Sequence, residues 1–205
     1  MADILVRYLK AAGFTDSDVH VLSEEKYPNQ VNVVVRLTGN GKARPILWNG
    51  HMDVVEAKPQ DWSLPPFQFI EKDSYFYGRG TSDMKDEDAA VAASLIRLKK
   101  EGFIPDRDII VAFTADEEVG EEQDGMWYLV REHKPLVDAE MAINPDGGSG
   151  EMDNGNRLTF WDYNLRKDLR YLHAPNNQQR RPFIRTPPRQ RDLSAGPWTC
   201  AAFTL

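Results

Sequence analysis

The run DIIVAFT at residues 108–114 restricts the fold more than any other stretch, because Ile109 to Phe113 are apolar without interruption. A strand with no polar alternation is buried on both faces, so its sheet must carry a covering layer on each side. Candidates for those layers flank it in the chain. Residues 2–12 place Ile4, Leu5, Tyr8, Leu9 and Ala12 at helical spacing, with Gly13 as a stop. The Ala-rich stretch 84–100 predicts a helix with a small apolar face for close packing, and 121–133 reads as another helix. Further strands are read at 31–37 (VNVVVRL), 45–49, 67–72, 75–77 and 138–144. The turn residues TGNGK between 31–37 and 45–49 predict a hairpin or two neighbouring strands. Strands alternating with helices imply an α/β fold: a three-layer α/β/α sandwich around a mostly parallel central sheet. The proline-broken stretch 55–66 reads as a loop, with Trp62, Phe67 and Phe69 expected to cover one edge of the core.

From about residue 157 the pattern changes. Residues 164–192 hold eight Arg or Lys against only Asp168 and Asp192, with several prolines and no periodic apolar face. The expected organisation is one folded domain over 1–157 and an Arg/Pro-rich tail over 158–205, disordered or non-native. The formal charge of −7 argues against nucleic acid as the main partner. No apolar run is long enough to span a bilayer, and residues 1–15 lack the order of a signal peptide, which predicts a cytoplasmic location. The single cysteine, Cys200, leaves no disulfide framework and no thiolate cluster, so any metal must sit on oxygen and imidazole.

Four places at the ends of expected elements carry the chemistry. They are His51 and Asp53 in WNGHMD, Asp83 in GRGTSDMKD, Glu117 and Glu118 in TADEEVG, and Asp146 in NPDGG. Taken singly they read as a structural histidine, a helix N-terminal acid, a solvated acidic run and a turn. Taken together they supply what a two-metal hydrolytic centre needs: a bridging carboxylate, terminal His and carboxylate ligands, and a free carboxylate that takes a proton from water. Of adjacent Glu117 and Glu118, one can ligate while the other faces water. Asp53, two residues beyond His51, can accept the second ring N–H of that histidine and set its tautomer.

The motifs NGHMDVV, YGRGTSDMKD, TADEEVG and the Asp before a Gly-Gly pair resemble those of the zinc-dependent exopeptidase and amidohydrolase family that includes aminoacylase-1, glutamate carboxypeptidase and succinyl-diaminopimelate desuccinylase. The resemblance covers about residues 3–155. It implies two zinc ions: His51 and Asp146 as terminal ligands of one, Asp83 bridging both, and Glu118 on the other. It also implies Glu117 as general base, Asp53 as support for His51, and a cis peptide bond after Asp83. The implied reaction is hydrolysis of an amide or peptide bond in a small peptide or N-acyl amino acid by zinc-activated water. The family completes the second zinc shell with a later histidine and inserts a smaller lid and dimerisation domain. Neither His133 nor His173 fits that pattern, and no lid domain is read in this chain. The expectation is therefore an incomplete catalytic domain with one complete zinc shell. Its alternative is a catalytically inactive fragment or metal-binding module that keeps the fold.

Overall fold

The elements follow from where the apolar runs can be covered. A computed structural model describes residues 1–119 and 124–146, with the backbone alone at 150–153 and 156–160. All of these lie within Met1–His173, one unit. The strands are β1 (Val19–Leu22), β2 (Asn32–Leu37), β3 (Ile46–His51), β4 (Ile70–Lys72), β5 (Tyr75–Tyr77), β6 (Ile109–Thr114), β7 (Met141–Ile143), β8 (Gly150–Asp153) and β9 (Asn156–Phe160). The helices are α1 (Ala2–Ala11), α2 (Lys85–Lys100), α3 (Gly125–Glu132) and the short α4 (Lys134–Val137). The tail expected over 158–205 lies outside the described residues, apart from the end of β9.

β6 is the central strand of a five-stranded sheet ordered β1-β2-β6-β3-β7. The sheet is mixed: β3 runs parallel to both β6 and β7, whereas β2 is antiparallel to β1 and β6. Alternate side chains of β2 and β6 reach opposite layers. Val33, Val35, Val111 and Phe113 meet Leu5 and Leu9 of α1 and Leu95 of α2. Val34, Ile110 and Ala112 meet Leu129 and Val130 of α3 and Val137 of α4. This is the three-layer sandwich that the uninterrupted run of β6 requires.

α1 stops where expected. Phe14 N–H donates to Leu9 O (3.2 Å) and Gly13 N–H to Lys10 O (3.0 Å), a turn that puts Gly13 at φ 99°. Phe14 then returns to the same core cluster as Leu9.

Several expectations are corrected. The runs 31–37 and 45–49 are neither a hairpin nor neighbours, because β6 enters between them. The connecting turn embraces the chain that leads into β6: Asn40 N–H donates to Pro105 O, Gly39 N–H to the Asp108 carboxylate, and Ile46 N–H to Asp108 O. The buried face of α2 is not its alanine stripe. Asp88, Ala92 and Leu95 are buried while Ala89, Ala90 and Ala93 are exposed, since the larger Val91, Leu95, Ile96 and Leu98 set the helix phase against the sheet. Phe67 and Phe69 do not cover the core. They are 68% and 71% exposed, beside a short β4–β5 hairpin that forms a sheet apart from the five-stranded one. Phe69 instead stacks on Phe76 (5.0 Å), and Trp62 lies under the Arg79 guanidinium (5.1 Å). Of the helix expected over 121–133, residues 121–123 lie outside the description, and the helix begins at Gly125 behind Asp124, whose carboxylate accepts from Met126 N–H (2.7 Å) and Trp127 N–H (3.3 Å). His133, at the junction of α3 and α4, has Nε2 2.8 Å from Tyr128 Oη.

Gly125 is required by space. A Cβ there would lie 1.9 Å from Asn32 Oδ1 and 2.8 Å from Ala115 N, and Asn32 Oδ1 already accepts from Ala115 N–H (3.0 Å). Gly125→Ala is therefore expected to destabilise the chain by about 3 kcal/mol, read from the urea midpoint, since neither the buried amide nor the β6 backbone has room to retreat. A midpoint equal to the parent's would show that α3 is not seated this tightly.

Candidate metal centre

The C-terminal ends of three parallel strands set the centre. His51 is the last residue of β3 and is 2% exposed. Beyond it, Met52 N–H donates to Thr114 O (2.7 Å), while the Thr114 hydroxyl donates to Gly50 O (3.0 Å), so the ends of β3 and β6 are held together. Glu117 and Glu118 follow β6, and Asp146 follows β7. Asp83 stands at the start of α2, and its peptide bond to Met84 is cis, as the resemblance implied. Ligand crevices of such sheets lie beyond these strand ends.

The predicted residues meet. His51 Nε2 lies 3.0 Å from Asp83 Oδ1 and 3.6 Å from Asp146 Oδ2. Donor atoms of His51, Asp83 and Asp146 all fall within 4.8 Å of one another, and so do those of His51, Glu117 and Glu118. On its other side, His51 Nδ1 is 3.4 Å from Asp53 Oδ1, long for a hydrogen bond. Asp53 also has a task the sequence did not reveal: its two oxygens accept from the backbone N–H of Glu117 (3.3 Å) and Glu118 (3.1 Å). It thereby holds the loop that presents both glutamates, in which Asp116 adopts φ 58°. Glu117 is exposed and Glu118 half-buried.

Electrostatics supply the test of fit for a cation. The Asp53 carboxylate beside the His51 ring holds its pKa up at about 9, against the opposing effect of burial and with Asp146 and Glu117 adding to it. Burial raises the carboxyl of Glu117, an effect the charge of His51 opposes and those of Asp146 and Glu118 reinforce. Burial also raises Glu118, with the charge of Asp83 next in weight. Crowded acids that resist ionisation around one histidine are relieved by a positive charge among them, and their oxygens and imidazole suit a divalent ion. The residues present fit such a group.

Two neighbours escaped the sequence reading. Met84 Sδ accepts from His51 N–H (3.3 Å), and Lys85 Nζ donates to Met52 O. The available signal was their position immediately after Asp83 in SDMKD, a lysine amid acids. Among the described residues, no helix is long and apolar enough to cross a membrane.

Residues 47–174 match the domain described as peptidase family M20/M25/M40. A probable succinyl-diaminopimelate desuccinylase of Staphylococcus aureus (strain Mu50) is 46% identical over 122 residues, covering 58% of this chain and 29% of that protein. The succinyl-diaminopimelate desuccinylase of Delftia acidovorans is 34% identical over 175 residues, 82% of this chain and 45% of its own. The chain thus spans less than half the length of these relatives. Two solved structures share its fold. An M20 family metallo-carboxypeptidase from Sulfolobus solfataricus superposes with a TM-score of 0.58 at 18% identity, over 71% of this chain and 31% of its own. Human carnosine dipeptidase 1 gives 0.55 at 21%, over 71% and 32%. The match over more than half the chain takes in all four clusters, from His51 to Asp146, and the chain belongs to peptidase family M20/M25/M40.

Proposed function

We propose that this chain carries the catalytic centre of a zinc-dependent hydrolase acting on the peptide or amide bond of a small peptide or N-acyl amino acid. The observation that carries the reading is the convergence of His51, Asp83, Asp146, Glu117 and Glu118 beyond the ends of β3, β6 and β7. The relatives named as desuccinylases favour an acylated amino acid. A cytoplasmic location belongs to the same reading.

In this reading His51, Asp83 and Asp146 hold one ion, and Asp83 and Glu118 contribute to a second. Bound ions supply Lewis acidity to a scissile carbonyl and its attacking water. The remaining steps belong to the chain. Glu117, exposed and with its proton affinity raised, takes a proton from the attacking water and returns it to the leaving nitrogen. Asp53 keeps Glu117 and Glu118 in place through their backbone N–H groups and orients the His51 ring.

Three protein donors suffice for a catalytic zinc, and among the described residues the second shell has two. One ion per chain is therefore expected to survive gel filtration, with a second binding only in excess zinc, as read by metal analysis and titration calorimetry. Two ions held tightly per chain would contradict this assignment. Turnover of N-acyl amino acids and dipeptides with added zinc tests the hydrolase itself. Zinc uptake without hydrolysis of either class would favour the alternative, a non-catalytic metal-binding module.

A further inference from the structure

We propose that Lys85 is a positioning residue of the metal centre: its ammonium grips the Met52 carbonyl and so fixes the spacing between His51 and Asp53. The inference rests on the metal-centre reading above. β3 ends at His51, and the segment that carries Asp53 continues without regular structure. Met52 is held by both of its main-chain polar groups, one in the peptide that joins it to His51 and one in the peptide that joins it to Asp53. Met52 N–H donates to Thr114 O on β6, and Met52 O accepts from Lys85 Nζ on α2. His51 and Asp53 flank Met52 directly, so the orientation of these two successive peptides governs where the imidazole and the carboxylate stand relative to one another. Met84, the residue before Lys85, takes the His51 N–H on its sulfur. The start of α2 therefore both presents Asp83 and clasps the strand end that presents His51.

The lysine stem has little freedom. Lys85 N–H donates to Gly80 O (3.1 Å), and a Cβ on Gly80 would meet Lys85 Cδ at 3.3 Å, Cε at 3.4 Å and Val54 Cγ1 at 2.7 Å. The ammonium lies near the charges of Asp88, Asp53 and Asp83, yet its hydrogen bond goes to a main-chain carbonyl. That choice separates two roles by the sign of their effect. A lysine acting only as a local positive charge repels a cation, and removing it should tighten metal binding. A lysine that positions the ligands should, when removed, loosen it.

The test compares the unsubstituted chain with Lys85→Met and Lys85→Arg. Zinc affinity is measured by competition with a chromophoric chelator, and site geometry by the visible spectrum of the cobalt(II)-loaded protein. Lys85→Met is expected to fold with an unchanged circular dichroism spectrum, to bind zinc about 10- to 100-fold more weakly, and to show an altered cobalt spectrum, the scale typical of losing a group that orients a ligand. Lys85→Arg, which keeps a donor, should stay within about threefold of the parent, and it decides the matter if Lys85→Met does not fold. Equal or tighter zinc binding by Lys85→Met, or a tenfold loss in Lys85→Arg, overturns the proposal. Failure of the unsubstituted chain to bind zinc overturns the centre itself and this inference with it.

Discussion

Replacing Asp88 with Asn is expected to stabilise the metal-free chain at pH 8 and to leave its stability near pH 4 almost unchanged. Asp88 lies on the buried face of α2 with 0% of its surface exposed, and neither carboxyl oxygen has a hydrogen-bond partner. A Cβ on Gly50 would come within 2.9 Å of its Oδ1, so it is packed directly beneath the end of β3. Burial pushes its pKa up to about 7 from an ordinary 3.8; the nearby charges of His51 and Lys85 oppose this, and Glu87 and Asp86 add to it. The sign follows from proton binding. Between 3.8 and about 7 the unfolded chain has released a proton that the folded chain retains, so stability falls as pH rises through that window. Asn has no such slope. The gap, at ~1.4 kcal/mol per pH unit, bounds the gain at roughly 4 kcal/mol. The raised pKa of His51 has its own pH dependence, with stability present below 6.5 and lost as pH rises through about 9. Most of it is common to both proteins and cancels in their difference; the part set by the charge of Asp88 on His51 does not. Urea denaturation of parent and variant in chelator from pH 4 to 8 measures that difference, and a value independent of pH would show that Asp88 is not a buried acid.

How much of this was legible in the sequence differs by feature, for physical reasons. The central strand was legible because five consecutive apolar residues can be satisfied only by burial on both faces, and β6 is the middle of the sheet. The ends of β3, β6 and β7 were legible because a change from apolar to charged residues marks where a buried strand meets solvent, and there His51, Glu117 and Asp146 converge. Strand order was not. Periodicity tells that 31–37 and 45–49 are buried strands but not which neighbour each takes, and insertion of β6 between them depends on backbone contacts with 105–108. Helix phase was hidden for a related reason. In DEDAAVAAS the alanines read as the packing face, yet packing of Val91, Leu95 and Ile96 rotates Asp88 inward. The link from Asp53 to the Glu117 and Glu118 amides spans more than sixty residues and leaves no trace in local pattern. Lys85 is a comparable case, because a lysine that serves a main-chain carbonyl is identical in sequence to one that serves solvent.

Glu117→Gln is expected to lower hydrolysis of N-acyl amino acids or dipeptides by roughly 10²- to 10⁴-fold while leaving the tightly held ion in place. The amide keeps the shape of the side chain and the backbone hydrogen bond to Asp53 but accepts no proton from water. His51, Asp83 and Asp146, whose donors lie within 4.8 Å of one another, are untouched by the change. The geometry makes the experiment decisive, because Glu117 also belongs to a second convergent group with His51 and Glu118 and has the reach of a ligand. Exposure separates the two glutamates: Glu117 is exposed and Glu118 half-buried, with burial first and the charge of Asp83 next raising the pKa of Glu118. The companion variant Glu118→Gln is expected to weaken the second ion, with zinc uptake falling in calorimetry. Loss of the first ion in Glu117→Gln would make that residue a ligand in place of a base. Full activity with the ion retained would place the proton transfer elsewhere in the centre.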